Sequence, residues 1–225
     1  MNNHKNIWDA FCKQENIIQN SVPLFKHKNF IVDVKKIGQR VKRSILCRSE
    51  LMEQLIQNET DKLVEDWRKK EDKLDGLIYM MYIKENNEVY PLYIGKTETI
   101  GKGNRNLSVN IKNLHTDFSK FARWGDGYSY HLGDLSAVTL TDHQKNKINK
   151  KYIDWANFLF KTYPTISPEL KKEIYFWTKA WAKDDIGIWN DFGRTRLTFL
   201  EYLMIGVASS VFPKLLLNRE GQNRG

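Results

Sequence analysis

One carboxylate stands alone inside the most apolar stretch of this chain. Residues 195–212 read TRLTFLEYLMIGVASSVF, and Glu201 is the single acidic residue among them. The segment has the length and composition of a buried helix. A carboxylate there must either face solvent or be held for a function, because an isolated charge is rarely buried. The sequence therefore marks Glu201 as a candidate functional residue on a final helix.

Two tyrosines lie in the clearest strand pattern of the sequence. Residues 76–96 read GLIYMMYIKENNEVYPLYIGK, in which two runs rich in aromatic and branched side chains flank the polar residues 84–88. This pattern predicts a β-hairpin with Tyr79 on its first strand and Tyr93 on its second. Each tyrosine could pack against the final helix or supply a phenol for chemistry.

The hairpin resembles the first two strands of the GIY-YIG nuclease superfamily. Residues 93–95 read YIG, and residues 77–79 read LIY with Gly76 one place before them. The resemblance covers residues 76–218. It implies an α+β fold in which a three-stranded antiparallel sheet is flanked by helices, and it implies an enzyme that hydrolyses phosphodiester bonds of DNA with one divalent metal ion per active site.

Further positions match the family pattern in order along the chain. Arg105 follows the YIG strand, Glu201 lies in the final helix, and Asn218 follows Pro213 in the closing segment. By resemblance, Glu201 binds Mg²⁺ or Mn²⁺, Arg105 contacts a phosphate oxygen, and Asn218 belongs to the same catalytic set. A lone carboxylate supplemented by phosphate and water suits magnesium.

The resemblance also assigns roles to the tyrosines. Tyr79 would be the general base for the attacking water, and Tyr93 would orient the site. A free phenol has a pKa of about 10, so this role requires cations such as Lys96, Arg105 and the metal nearby. The family often places His or Tyr a turn after the arginine, whereas this chain has Val109 and Asn110 there.

A histidine in a glycine-rich segment is a further candidate. Residues 118–136 (FSKFARWGDGYSYHLGDLS) are dense in glycine and aromatic residues, which predicts either a loop that makes a shaped contact or an ordinary connection. His131 could touch the scissile region or DNA, or be a structural histidine.

The GK pairs at 95–96 and 101–102 lack the glycine that a phosphate-binding loop places before them, so no nucleotide cofactor is expected.

The charge balance favours a polyanionic partner. Lys and Arg number 36 against 27 Asp and Glu, a net charge of +9, which suits double-stranded DNA. Residues 35–48 carry basic side chains and no acidic one; they could contact phosphates or form a solvated face. The candidate DNA-contacting residues are Lys36, Arg40, Lys42, Arg43 and Arg123.

Three regions are predicted. Residues 1–73 form a helical N-terminal arm for DNA contact or dimerisation, residues 74–218 form the nuclease domain with a helical insertion at about 113–172, and residues 219–225 form a frayed tail. Local patterns predict helices at 49–70 and 145–161, then a short helix from Ser167 followed by the third strand at 173–183.

The remaining composition restricts the class of protein. No run of about 18 apolar residues and no apolar signal core is present, so a cytoplasmic protein with no membrane insertion is expected. Cys12 and Cys47 are too few for a disulfide framework or a four-cysteine zinc site.

The architecture is most like that of a type II restriction endonuclease acting as a homodimer on DNA, since one site with one metal ion cuts one strand. A repair or phage-defence nuclease directed by structure or modification is the alternative, as is an inactive basic DNA-binding protein.

Overall fold

The computed structural model describes residues 3–38, 42–101, 106–112, 131–143 and 148–222. In these ranges the chain is α+β, with six α-helices and an antiparallel sheet of four strands. The elements in chain order are α1 (Asn3–Gln14), β1 (Val22–Pro23), β2 (His27–Lys28), β3 (Ile31–Val32), β4 (Val34–Ile37), β5 (Arg43–Leu46), α2 (Glu50–Lys69), β6 (Leu74–Glu85), β7 (Glu88–Glu98), α3 (Val109–Lys112), α4 (His131–Thr139), α5 (Lys150–Leu159), β8 (Tyr175–Ala182) and α6 (Leu197–Val211).

The predicted hairpin lies at the centre of the fold and is confirmed. β6 and β7 pair antiparallel as far as Glu85 opposite Glu88, and Asn86 and Asn87 make the turn with φ values of 49° and 63°. Asparagine enters this left-handed region more readily than most side chains. A two-residue turn with both residues at positive φ matches the twist of the paired strands, so the local sequence closes the hairpin.

The sheet has one strand more than expected. Its order is β1-β8-β6-β7, and β8 pairs with β6 as the expected third strand. β1 adds a fourth strand at the outer edge, with Val22 opposite Phe176 and Pro23 opposite Tyr175. A two-residue strand leaves no periodic signal in the sequence, and its proline is tolerated because the strand is at an edge. The expectation of three strands was wrong for this reason.

The two faces of the sheet carry separate hydrophobic cores. Side chains of a strand alternate between faces, so Tyr79 and Met81 are buried on one face with residues of α2, α4 and α5, whereas Met80 and Tyr82 pack on the other with α1 and α6. Residues of α6 therefore lie across the sheet from α4 and α5, whereas residues of β7 that face α4 and α5, such as Tyr93, contact them directly.

The N-terminal region is not a separate helical arm. α1 and α2 are helical, and Ser49 caps α2 by accepting a hydrogen bond from the N–H of Met52. Between these helices run five short strands, and the fully buried Trp8 of α1 donates its indole N–H to the carbonyl of Val89 (3.0 Å). The apolar side of α2 packs on the sheet. Contacts between residues so distant in the chain leave no local sequence pattern. The prediction of a separate helical arm was wrong for this reason.

The predictions for the insertion and the end of the chain had mixed outcomes. α5 and α6 confirm the helices expected there, and β8 confirms the strand. His131 begins helix α4 instead of lying in a loop, and residues 167–172 contain no helix. Arg219 pairs with Asp154 (2.8 Å), and Gln222 donates to the carbonyl of Leu216 (3.2 Å), so the tail is held as far as residue 222.

Candidate active site

The YIG triplet brings the backbone of β7 against the first tyrosine. Tyr79 and Gly95 are cross-strand partners. A Cβ atom placed on Gly95 would stand 2.6 Å from both Cζ and Oη of Tyr79, closer than atoms approach without a bond. Gly95 is therefore required by the position of the Tyr79 ring, which explains the glycine of the triplet in this chain.

The two tyrosines form a hydrogen-bonded pair. Their ring centroids are 6.3 Å apart, and Tyr79 is buried while Tyr93 is partly exposed. Burial raises the pKa of Tyr79 well above its ordinary value, and it raises the pKa of Tyr93 to about 12. A hydrogen bond between the phenols adds to the first shift and opposes the second. Both are neutral phenols at pH 7 in the isolated chain.

Glu201 lies close to the same strand. Burial raises its pKa, while the Lys96 charge and the backbone N–H of Lys96 favour its ionised form. Its negative charge in turn raises the pKa of Tyr79 and Tyr93, so the three groups interact electrostatically. The side chain of Lys96 points to the α6 face, where its ammonium pairs with Glu98 (2.6 Å) and Glu98 accepts from Thr198 (3.1 Å).

Asn218 supports the YIG strand instead of facing the tyrosines. Its amide oxygen accepts from the N–H of Ile94 (3.0 Å), and its amide nitrogen donates to the carbonyl of Ile94 (2.8 Å). Next to it, Leu217 donates its N–H to the carbonyl of Leu92 (2.7 Å). The outward backbone groups of β7 are thus bound by the segment after α6, as another strand would bind them. Asn218 is a positioning residue.

His131 reaches the site from the insertion. Its ring stacks on Trp155 (centroids 5.2 Å apart), approaches Tyr93 edge-on (4.8 Å), and shares a hydrogen bond with the Tyr152 hydroxyl through Nδ1 (2.9 Å). Burial, together with the charge of Lys151, lowers the pKa of His131 to about 3. This histidine is neutral at pH 7 and packs beside the tyrosine pair.

Sequence reasoning missed two charged residues of this region. Lys151 holds its ammonium over the ring of Tyr93, 4.9 Å from the centroid. Asp134 is buried, its Oδ1 has no hydrogen-bond partner in the described part of the chain, and burial raises its pKa to about 7. Each is one charged residue among several in the insertion, and no local pattern singles it out. The aromatic residues Tyr152 and Trp155, which pack beside them, are both buried.

Arg105, Arg123 and Arg40 lie outside the described residues. Residues 34–37 and 43–46 pair as the antiparallel strands β4 and β5 instead of forming a helix face, with Lys42 exposed and Arg43 half-buried. Lys36 pairs with Asp142 (2.5 Å), and the N–H of Leu46 donates to Ser136 of α4 (3.1 Å). The basic segment therefore packs on the helix that begins with His131.

The described residues hold neither a cluster of metal ligands nor a helix that could span a membrane. No group of three or more His, Cys, Asp or Glu side chains there could hold a metal ion by itself, and none of the described helices combines the length and apolarity needed to cross a bilayer. Comparisons with protein-family models, with curated proteins and with solved structures gave no match.

Proposed function

We propose that this chain is a metal-dependent DNA endonuclease of the GIY-YIG type that hydrolyses phosphodiester bonds. The observation that carries the proposal is the convergence of Tyr79 of β6, Tyr93 of β7 and Glu201 of α6: the two tyrosine rings are 6.3 Å apart, and the Glu201 charge raises the pKa of both. The sequence resemblance selects the same three residues. Gly95, which the triplet requires, is in contact with Tyr79.

Glu201 suits a hard divalent ion. It is half-buried, and burial together with the charge of Glu98 disfavours its ionised form, which an added cation would restore. Phosphate and water would supply the other ligands. A bound Mg²⁺ or Mn²⁺ would neutralise charge on the phosphate and on the leaving oxygen. Tyr79 would orient the attacking water and accept its proton once nearby cations lower its pKa.

Substitution of Glu201 tests this function. Glu201→Gln should abolish Mg²⁺-dependent cleavage of unmethylated plasmid and phage DNA while DNA binding persists, because the amide keeps the size of the side chain and loses its charge. Glu220→Gln makes the same chemical change at an exposed neighbour and should cut like the wild type. Cleavage by Glu201→Gln at the wild-type rate would refute the metal assignment.

The finer proposal is a site-specific restriction enzyme that acts as a homodimer, because two related protomers most simply make a double-strand break at a symmetric site. A nuclease directed by structure or modification is the second candidate. Mapping the ends cut from plasmid DNA distinguishes these two candidates, because only a restriction enzyme cuts at one recurrent sequence.

Sedimentation with a cognate duplex measures the stoichiometry, and one protomer per duplex making complete breaks would refute the dimer.

The hairpin β4–β5 is the proposed DNA contact outside the active site. Replacing Lys35 and Lys42, both exposed, by Glu should weaken duplex binding and reduce its salt dependence. Lys62→Glu and Lys69→Glu together change the same charge on α2 and serve as the control. Deleting residues 1–48 is not a clean test, because it removes β1 and buried residues of α1.

A further inference from the structure

A lysine from the insertion is held over the aromatic rings beside the tyrosine pair. The ammonium of Lys151 lies 4.9 Å from the ring centroid of Tyr93, 5.6 Å from that of Tyr152 and 5.4 Å from that of Trp155. Lys151 is in the first turn of α5, where its backbone N–H is capped by the side chain of Asn149 (3.0 Å). Backbone and side chain are therefore both held, and the ammonium has a defined position.

This cation has no ion pair with any carboxylate that the structure describes. Asp134 and Glu220 are the acidic residues whose charges reach it, while Arg219 repels it, and none of them forms a salt bridge with it. Its pKa is lowered by burial. Other lysines near the sheet differ: Lys96 is paired with Glu98.

Contact with aromatic rings compensates only part of the cost of this placement. Cation–π contacts contribute favourably but weakly to stability, whereas partial removal of a charge from water is unfavourable unless an opposite charge is supplied. A lysine that only filled space could be replaced by an apolar residue without loss. We therefore expect the ammonium of Lys151 to pair with an anionic group of a bound ligand.

The anion that fits is a phosphodiester. The ammonium of Lys151 lies over the ring of Tyr93, whose hydroxyl is hydrogen-bonded to Tyr79. The negative charge of Glu201 raises the pKa of both tyrosines. A backbone phosphate bound at this pair would have the ammonium close by. Lysine is a point-charge phosphate ligand with three rotatable donors and tolerates several phosphate orientations.

We propose that Lys151 is a phosphate-binding residue of the active site, supplied by the insertion, which contacts a non-bridging oxygen of the scissile or the adjacent phosphodiester. This inference rests on the proposed nuclease function for the identity of the ligand. It gives α5 a direct part in substrate binding, because this helix carries the lysine and two of the three aromatic rings around it.

The test measures binding apart from cleavage. In the Glu201→Gln background, affinity for a duplex of about two helical turns is followed by fluorescence anisotropy across a series of NaCl concentrations. Lys151→Met keeps the apolar stem and removes the charge. It should reduce the slope of log K against log [salt] by about 0.9, the value for one lost phosphate contact. Lys151→Arg should restore the slope, and Lys150→Met, at an exposed neighbour, is the control.

The salt dependence of binding tests the phosphate contact of Lys151, whereas the cleavage rate of the wild type tests the proposed nuclease function. With Glu201 intact, Lys151→Met should also cut at least about tenfold more slowly in a single turnover. An equal slope for Lys151→Met and Lys150→Met would overturn the phosphate contact, even if the wild type cuts DNA. A wild type that never cuts would refute the nuclease, yet a slope reduced only by Lys151→Met would still support the phosphate contact. Thermal unfolding of each variant verifies that it is folded.

Discussion

The ring of Tyr79 covers the backbone of Gly95 so closely that a single methyl group could not be added there. The nearest ring atoms would be 2.6 Å from that methyl group. The backbone of β7 at Gly95 cannot move away from the ring without breaking its pairing with β6. The observed position of the Tyr79 ring therefore requires glycine at position 95.

Gly95→Ala should displace the ring of Tyr79. Overpacking of this kind costs about 1–3 kcal/mol in the free energy of unfolding, and we expect cleavage to fall by at least about tenfold because the phenol is moved. Urea unfolding and single-turnover cleavage measure the two effects. Gly206→Ala is the matched control, since a Cβ there meets nothing within 4 Å, and in helix α6 it should be neutral or stabilising. Wild-type behaviour of Gly95→Ala would contradict the packing argument.

Removing the phenol of Tyr79 should lower the rate of cleavage more than removing that of Tyr93. We expect Tyr79→Phe and Arg105→Ala each to reduce the single-turnover rate by about a hundredfold or more, the size of effect that follows loss of a general base or of a transition-state charge donor. Tyr93→Phe should do less. A wild-type rate for Arg105→Ala would direct attention to Arg123.

Asn218→Ala should destabilise the YIG strand. It leaves the N–H and the carbonyl of Ile94 without their partners, and unsatisfied buried polar groups cost about 1–3 kcal/mol each. Urea unfolding should show the loss, and hydrogen exchange at the Ile94 amide should accelerate. Asn58→Ala, an exposed change on α2, should have little effect. Unchanged exchange at Ile94 combined with lost cleavage would instead indicate a direct catalytic role.

The pH dependence of stability should reveal His131 and Asp134 as opposing groups on α4. The pKa of His131 is lowered from 6.5 to about 3, so between these values the unfolded chain holds a proton that the folded chain lacks, and stability falls as the pH falls. The pKa of Asp134 is raised from 3.8 to about 7, so in that window the folded chain holds the extra proton and stability rises as the pH falls.

Removing either group should therefore expose the effect of the other. Relative to wild type, Asp134→Asn should lose stability as the pH is lowered from 7 to 4, by about 1 kcal/mol per pH unit, and His131→Gln should gain by a similar amount. Urea unfolding at a series of pH values measures both differences. Variant and wild-type curves that run parallel would show that neither group has a shifted pKa.

The sequence by itself determined the elements whose signals are local. The runs of aromatic and branched residues around the polar residues 84–88 predicted the hairpin β6–β7, and continuous apolar character predicted α6 with Glu201 on it. These features follow from preferences that act within a few residues, such as turn geometry and helical periodicity. The resemblance then named Tyr79, Tyr93 and Glu201, which lie on β6, β7 and α6.

Only the tertiary structure decided which distant residues share the site. His131 and Lys151 reach Tyr93 because α4 and α5 pack on one face of the sheet, while Asn218 replaces a missing strand at β7. Those contacts join residues far apart in the chain, and their free energy comes from burial of apolar surface that no local pattern encodes. The same reason explains β1, whose two residues form a strand because β8 offers an open edge.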